Sequence, residues 1–268
     1  MAIPILVTGG TGNLGRHVVP LLRDAGHDVR VLSRSDHERT DGIEYMTGDL
    51  GAGSGVDAAV QGVEVIVHCA GTAKGDDVKT RNLGSAALRA GVRHLVFISV
   101  VGADRVPVNS RIDHALFGYF ASKRGAELAV EACGVPWTTL RATQFHDLMF
   151  KTVAGMAKLP VVPIPAGMSF QPVETGEVAA ELVSLALAPP AGLVPDIAGP
   201  RIYSMDELVR SYLDSIGKRR PMFHVPIPGN AARAVRAGAI LAPDRAVGHR
   251  TWEDFLAASE PARSASSA

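Results

Sequence analysis

The stretch Ile3–Gly15, IPILVTGGTGNLG, decides the fold of this 268-residue chain. Its first part, Ile3–Thr8, is apolar or β-branched apart from Pro4. Such a run is typical of a strand buried on both faces of a parallel sheet. The segment after the glycines, Leu14–Ala25, has the apolar spacing of a helix and ends at Gly26. The stretch therefore predicts a strand, a tight glycine loop and a helix in direct succession.

The glycine spacing in this loop suits the binding of a dinucleotide. Gly9 permits the tight turn, Gly12 lets the main chain approach a pyrophosphate, and Gly15 lets the helix pack closely on the strand. The pyrophosphate would lie on the free N–H groups at the positive end of the helix dipole. We therefore predict that the phosphates are held by Gly9, Thr11, Gly12, Asn13, Leu14 and Gly15.

Short apolar runs alternate with helical segments through most of the chain before residue 200. Further strands are predicted at Asp28–Ser33, Ile43–Thr47, Val63–Ala70, Arg93–Val100 and Trp137–Arg141. Further helices are predicted at Asp77–Ala90, Tyr119–Ala132 and Thr175–Ala188. This alternation predicts an α/β protein with a doubly wound parallel sheet, which is the Rossmann fold.

The pattern changes after Gly199. Ser204 and Glu207 form a capping box before an apolar helix. We predict a dinucleotide-binding core over residues 1–200, with residues 143–174 contributing to a substrate pocket. Residues 201–268 are predicted to be the C-terminal part of a small substrate lobe that does not fold independently.

Composition narrows the class of protein. Hydrophobic residues make up 47% and charged residues 20%, which is typical of a globular protein with a sizeable core. The formal net charge is +0, so no global positive field favours nucleic acid or an anionic membrane. The N-terminus lacks the basic region of a signal peptide. Cys69 and Cys133 stand in unrelated contexts, so we expect reduced thiols, no metal site and a cytoplasmic protein.

The end of the second strand favours NADP(H) over NAD(H). NAD-selective sites place an acidic side chain near this point to accept from the ribose 2′-hydroxyl, whereas a 2′-phosphate needs arginine. Ser33 and Arg34 occupy the strand end here, and Asp36 lies further out. Arg16, just after the last loop glycine, would add a second positive charge.

The GxxGxxG spacing with its TGGTG opening resembles the extended and atypical short-chain dehydrogenases/reductases, in particular their NmrA-like branch. Gly48-Asp49-Leu50 resembles the family's adenine-contacting turn, and His68-Cys69-Ala70-Gly71 ends a strand where the family lines the cofactor. The segment 134–141 is similar to the family's sixth-strand region, although Ala142 replaces the usual proline. The resemblance implies further cofactor contacts at Asp49, Leu50, Ala70 and Gly71.

Tyr119 and Lys123 stand at i and i+4 of a predicted helix and resemble the family's YxxxK motif. The resemblance implies that Tyr119 protonates a carbonyl oxygen and that Lys123 donates to the nicotinamide ribose. A free tyrosine has a pKa of about 10, and a nearby ammonium and oxidised nicotinamide are expected to lower it. Ser99 is the candidate for the third catalytic residue. Val100 and Val101 occupy the positions where the family often has this serine, so an incomplete triad remains the alternative.

The substrate is expected beyond the carboxyl ends of the strands. Phe145, His146 and Phe170 are predicted to line a mostly apolar pocket for a small molecule. As acid–base groups, His114, His146, Asp113 and Asp147 are each better explained as surface or packing residues.

Two functions of different classes remain open. The first is NADP(H)-dependent reduction of a small carbonyl or quinone-like substrate, which Tyr119 and Lys123 favour. The second is a non-catalytic NADP(H)-binding sensor or regulator of NmrA type, which the doubtful triad serine favours. An epimerase or dehydratase is a weaker third option. The sequence favours the reductase, and the family resemblance adds a homodimer as one possible assembly.

Overall fold

The computed structural model describes residues 2–38, 42–72 and 74–265. In this part of the chain, no helix combines the length and apolar character needed to cross a membrane. The strands are β1 Pro4–Thr8, β2 Asp28–Ser33, β3 Ile43–Thr47, β4 Val65–His68, β5 His94–Val100, β6 Trp137–Ala142, β7 Val162–Pro165, β8 Ser169–Phe170, β9 Gly192–Leu193, β10 Tyr203–Ser204 and β11 Met222–Val225. The helices are α1 Gly15–Asp24, α2 Val56–Val60, α3 Asp76–Ala90, α4 Arg111–Ala132, α5 His146–Met156, α6 Thr175–Leu187, α7 Met205–Ser215, α8 Asn230–Arg236 and α9 Trp252–Ala265.

Seven strands form one parallel sheet in the order β3-β2-β1-β4-β5-β6-β9. At its centre, Val7 of β1 lies opposite Val31 of β2 and Val67 of β4. The strand order reverses beside β1, and ligands of open α/β sheets bind at such a reversal, beyond the carboxyl ends of the strands. This architecture confirms the predicted α/β fold with a doubly wound parallel sheet.

Helices cover both faces of the sheet. On one face, α1 and α6 pack around a core that contains Val18, Leu22 and Leu182. On the other face, α2, α3 and α4 enclose a second core with Leu83 and Val130. Strands covered on both sides need apolar residues at nearly every position. That requirement explains why β1, β4 and β5 are recognisable in the sequence as mainly apolar runs.

A third core joins chain segments from both sides of residue 200. It contains Met149 and Val153 of α5, Leu208 and Tyr212 of α7, and the fully buried Trp252 of α9. Two small sheets adjoin it: β7 pairs with β11 in parallel, and β8 pairs with β10 in antiparallel register. The residues after 200 therefore bury their apolar side chains against earlier parts of the chain. The domain boundary at residue 200 stays a prediction.

Two helices differ from the sequence prediction. α4 begins at Arg111 rather than at Tyr119, because Ser110 and Asp113 form a reciprocal capping box ahead of it. Tyr119 consequently lies in the interior of the helix instead of near its start. No helix was predicted in the segment after β6, which was expected to contribute to the substrate pocket, but it contains α5, whose buried face includes Met149 and Val153.

Candidate cofactor and active site

The glycine loop connects β1 to α1 at the centre of the sheet. Gly9 has φ +69°, and a Cβ atom there would lie 2.6 Å from the backbone nitrogen of Ala70 after β4. A Cβ atom on Gly15 would overlap the carbonyl oxygen of Gly9, so the helix can start this close to the loop only with glycine. A Cβ atom on Gly10 would lie 2.8 Å from the Val31 side chain of β2. The loop therefore needs Gly9 and Gly10 to lie close to the chain after β4 and to β2, and it needs Gly15 for the close start of α1.

The loop also presents unpaired main-chain donors. The amides of Asn13, Leu14 and Gly15 donate to no acceptor among the described residues, and α1 has no side-chain cap at Leu14. Unpaired N–H groups at a helix N-terminus bind an anion well, since the helix dipole adds to their charge. The residues present fit the pyrophosphate of a dinucleotide.

We expect Gly15→Ala to weaken NADPH binding at least about tenfold, which corresponds to about 1.4 kcal/mol. The added methyl group would push the first turn of α1 away from Gly9 and misalign the free amides. NADPH fluorescence titration measures the effect. Gly176→Ala is the matched control, because Gly176 also lies in the first turn of a helix and has open space around it. Equal affinity in the wild type and Gly15→Ala would contradict the predicted role of the loop.

A polar cluster ties the loop to the following helices. Asn13 donates to Asp147 of α5 at 3.3 Å and to Thr175 of α6 at 3.4 Å. The Thr175 hydroxyl donates to Asp147 at 2.7 Å. Arg16 pairs with Asp147 at 3.3 Å while its guanidinium remains mostly exposed. Arg16, which was expected to supply free positive charge, is thus partly neutralised.

The end of β2 carries the residues predicted to select the cofactor. Arg34 is exposed, and no ion pair within the described part of the chain engages it. Ser33 Oγ accepts from the amide of Ser35 at 3.2 Å and lies 3.0 Å from Nε2 of His37. A cationic and a polar side chain therefore stand together at this strand end, with no neighbouring carboxylate bound to Arg34.

The other predicted cofactor residues lie at strand ends on both sides of β1. Asp49 accepts from the amide of Gly51 at 2.7 Å and so closes the turn after β3. The buried Leu50 accepts through its carbonyl from Asn82 of α3 at 2.7 Å. Ala70 and Gly71 follow β4 directly. These contacts hold the turn after β3 in place. The cofactor roles of Asp49, Leu50, Ala70 and Gly71 stay predictions.

Lys123 is buried where α4 crosses β5. Its Nζ donates to the carbonyl oxygen of Ile98 at 3.2 Å and lies 4.9 Å from the centre of the Phe97 ring. Tyr119 lies one turn earlier on the same helix face and is 40% exposed. The structure therefore places the predicted pair on one face, with the lysine enclosed and the tyrosine accessible.

Asp76, which the sequence analysis missed, changes the electrostatics of this pair. Its Oδ2 lies 3.6 Å from Nζ of Lys123, and its side chain is almost completely buried. Although Tyr119 is 40% exposed, partial desolvation of its phenol and the charge of Asp76 raise its pKa to about 12. This is opposite to the lowering expected from the lysine and the oxidised cofactor. Burial also lowers the pKa of Lys123, and Asp76 opposes that shift.

A hydrogen-bond chain links the cofactor loop to Asp76. Thr80 donates its hydroxyl to the carbonyl oxygen of Asp76 at 2.7 Å, so it accepts from Nε2 of His68 at 3.1 Å. Nδ1 of His68 is therefore free to accept from the Thr8 hydroxyl at 2.6 Å. Burial and the charges of Lys123 and Lys79 lower the pKa of His68 to about 3. His68 is neutral at physiological pH and acts as a fixed polar link.

Ser99 lies beside a buried ion pair rather than in an open cleft. Arg141 of β6 makes two bonds of 2.8 Å to Glu127 of α4 and one of 2.9 Å to Asp104. Burial alone would raise the pKa of Glu127, but hydrogen bonds from Arg141 and Arg124 lower it. The Ser99 hydroxyl is buried and makes no hydrogen bond within the described residues. Val100 and Val101 are buried apolar residues. A catalytic role of Ser99 stays a prediction, as does an incomplete triad.

The three predicted pocket residues lie between the sheet and the lobe. Phe145 is half-buried immediately before α5. His146 is fully buried, stacks on Phe255 of α9 and places Nδ1 3.3 Å from Glu174. Phe170 is half-buried in β8 and packs against the lobe cores. His146 therefore packs the lobe, and the pocket role of all three residues stays a prediction.

The sequence profile of an NAD(P)H-binding family matches residues 9–159, from the glycine loop through α5. The chain belongs to this NAD(P)H-binding family. Its fold and motifs are those of the atypical short-chain dehydrogenases/reductases. The nicotinamide cofactor predicted from the glycine loop is thereby confirmed at the level of NAD(P)H.

Curated relatives of this NAD(P)H-binding protein include reductases. A ceramide reductase of Caulobacter vibrioides is 30% identical over 257 residues, which cover 88% of this chain and 77% of the relative. A (4-alkanoyl-5-oxo-2,5-dihydrofuran-3-yl)methyl phosphate reductase of Streptomyces griseus is 33% identical over 161 residues, covering 59% of this chain and 54% of the relative. Among solved structures, an NADPH-dependent quinone oxidoreductase of Escherichia coli, complexed with NADPH, has a TM-score of 0.80 at 17% identity over 95% of this chain and 99% of that chain. The last likeness shows the fold alone.

Proposed function

We propose that this protein is an NADP(H)-dependent oxidoreductase that reduces a small carbonyl or quinone-like substrate. One observation carries the proposal: the accessible Tyr119 stands one helical turn from the buried ammonium of Lys123, beside the strand ends that flank the cofactor loop. A family member that only bound the cofactor would not require the Tyr119 hydroxyl. The reductases among the curated relatives support the same reaction class.

The proposed chemistry divides between the cofactor and the chain. NADPH, when bound, supplies the hydride. Tyr119 donates its phenolic proton to the substrate oxygen, because the raised pKa keeps the phenol protonated until the transfer. Lys123 donates to the nicotinamide ribose and orients it, while Asn13, Leu14 and Gly15 present their amides to the pyrophosphate. Phe145 and Phe170 exclude water from the substrate side.

NADP(H) is the proposed cofactor because Arg34 is exposed at the end of β2 and forms no ion pair with any described residue. We expect Arg34→Glu to weaken NADPH binding by about ten- to a hundredfold, since a charged hydrogen bond of about 1.5–3 kcal/mol is lost. NADH lacks the 2′-phosphate, so its affinity serves as the internal control and should change little. Dissociation constants measured by fluorescence test this. Tighter binding of NADH than of NADPH by the wild type would overturn the assignment.

The reductase is tested by following NADPH oxidation against aldehydes, ketones and quinones, with Tyr119→Phe as the control. Turnover that the control loses supports the proposal. Strong NADPH binding without turnover in this panel and in a broad metabolite screen would favour the second candidate, an NmrA-type sensor. Ser99 favours that candidate, because its hydroxyl is buried and makes no hydrogen bond within the described residues.

We also propose a cytoplasmic location and a homodimer. A groove of about 760 Å³ between α3 and α4 is lined by Leu88 and Leu128, which are 53% and 49% exposed. Covering these leucines with the same face of a second copy would remove them from water. The mass of the purified protein from light scattering tests the homodimer.

A further inference from the structure

We propose that Asp76 is the positioning residue that holds the ammonium of Lys123 in place at the end of β4. This inference rests on the proposed function for its catalytic meaning. Asp76 is the first residue of α3, its side chain is 1% exposed, and the Lys123 side chain is 5% exposed. A lysine this deeply buried needs a carboxylate partner to remain charged. In the described chain, Asp76 is the carboxylate within 4 Å of that ammonium.

Asp76 is itself held from three sides. Its Oδ1 accepts from the amide of Thr72 at 2.8 Å, and its own amide donates to Ser122 of α4 at 3.3 Å. Lys79, one turn along α3, lies 3.4 Å from Oδ1. The second oxygen, Oδ2, accepts no hydrogen bond within the described residues and lies 3.6 Å from Nζ of Lys123. Oδ1 is thus hydrogen-bonded to the loop after β4, whereas Oδ2 is the oxygen that lies near Nζ of Lys123.

The pair lies directly against the main chain that is predicted to border the cofactor. A Cβ atom on Gly71 would lie 2.8 Å from Nζ of Lys123 and 3.2 Å from Oδ2 of Asp76. The ammonium therefore lies close to the main chain of Gly71 and to the Phe97 ring. Asp76 supplies the attraction that keeps Nζ in this slot, where the lysine would reach the ribose.

The other titratable groups around the pair do not substitute for Asp76. His68 of β4 is neutral, with its pKa lowered to about 3 by burial. Cys69, which directly follows β4, is also neutral, because burial raises its pKa to about 12. Glu127 of α4 is bound by Arg141. Lys79 adds a second cation and Tyr119 a phenol with a raised pKa. Among these described groups, Asp76 is the carboxylate within 4 Å of the Lys123 ammonium, and Glu127 acts on that ammonium only from a greater distance.

The test compares Asp76→Asn with Asp77→Asn in the full chain. Both residues lie in the first turn of α3, but Asp77 pairs with Arg81 on the surface and does not contact the site. NMR of 15N-lysine in the cofactor-free protein follows the Nζ signal of Lys123, identified by its absence in Lys123→Met. We expect the titration midpoint of Lys123 to fall by at least about one pH unit in Asp76→Asn and to stay unchanged in Asp77→Asn.

Direct NADPH binding gives a second readout. We expect the dissociation constant to rise at least about fivefold in Asp76→Asn, as one partner of a positioned charge is lost, and to stay within about twofold in Asp77→Asn. An unchanged Lys123 midpoint and an unchanged affinity in folded Asp76→Asn would overturn the inference. Neither measurement needs turnover, so a failed reductase panel would leave this result standing.

A wild-type measurement covers the case in which Asp76→Asn does not fold. The Cγ resonance of Asp76 in 13C-aspartate-labelled protein should shift at the same alkaline pH at which Lys123 loses its proton, since the two groups are coupled. Absence of that shift would overturn the inference without any variant.

Discussion

Tyr119→Phe is expected to lower kcat/KM for carbonyl reduction at least about a hundredfold, the lower range for loss of a general acid. The substitution removes one hydroxyl and keeps the ring that packs edge-on against Phe120. The cofactor loop and Lys123 remain intact, so the NADPH dissociation constant should change less than about twofold. Stopped-flow measurement of the hydride-transfer step separates this loss from effects on substrate binding.

Tyr45→Phe is the matched control for this substitution, because it removes a tyrosine hydroxyl from the edge strand β3. We expect it to keep the wild-type rate. If Tyr119→Phe retains more than half of the wild-type kcat/KM on a substrate that the protein turns over, Tyr119 is not the proton donor.

The pH dependence of reduction follows from the same residue. The acid form of Tyr119 is needed, so the rate is present below its pKa and is lost as pH rises through it. Burial and Asp76 raise that pKa to about 12. We therefore expect the contribution of Tyr119 to kcat/KM to be flat between about pH 6 and pH 9. If both the wild type and Asp77→Asn lose rate in this window, a group other than Tyr119 controls the pH dependence.

Glu127→Gln is expected to lower the free energy of unfolding by about 3–5 kcal/mol, because it leaves the charge of Arg141 buried without its main partner. Arg141 is 7% exposed and Glu127 is 2% exposed, and two hydrogen bonds of 2.8 Å join them. The pair connects β6 to α4, the helix that carries Tyr119 and Lys123. Urea unfolding followed by circular dichroism measures the loss.

Glu131→Gln is the matched control, since Glu131 lies one turn further along α4, is 41% exposed and shares Arg124 as a partner. Its effect should stay below about 1 kcal/mol. The pKa of Glu127 is lowered in the folded state, so its stabilisation is present above the ordinary value of 4.5 and is lost as pH falls through the lowered pKa. The difference between the wild type and Glu127→Gln should therefore shrink in acid. Equal stabilities at neutral pH would contradict this account of the pair.

Local sequence signals were enough to predict the glycine loop and its position between β1 and α1. The need for glycine at positions 9 and 15 follows from how closely a strand, a loop and a helix must approach one another, and both contacts occur. The sequence also marks the start of α4, because Ser110 and Asp113 form a Ser-x-x-Asp capping box directly ahead of Arg111. This signal was missed because the apolar periodicity before Tyr119 is weak. For α5, the sequence signal was limited to the apolar residues Met149 and Val153, which are four positions apart as on one face of a helix.

The contact between Asp76 and Lys123, and the effect of Asp76 on the pKa of Tyr119, could not be predicted from the sequence. Asp76 and Lys123 are far apart in the chain and meet only because α3 and α4 pack side by side on the second core. In the cofactor-free chain the pKa of Tyr119 is raised, first by burial and then by the charge of Asp76, whereas the expectation had considered only the lysine and the oxidised cofactor. Charge effects depend on distance and burial, and neither quantity is encoded in local spacing.

The sequence by itself determined the parallel sheet, the glycine loop and membership of a nicotinamide-binding family, because periodicity and glycine requirements act over a few neighbouring residues. Only the tertiary structure decided which charges are buried together: Asp76 with Lys123, and Glu127 with Arg141. Such partners are brought together by packing of distant elements, and their pKa values follow from the burial and the contacts that packing creates.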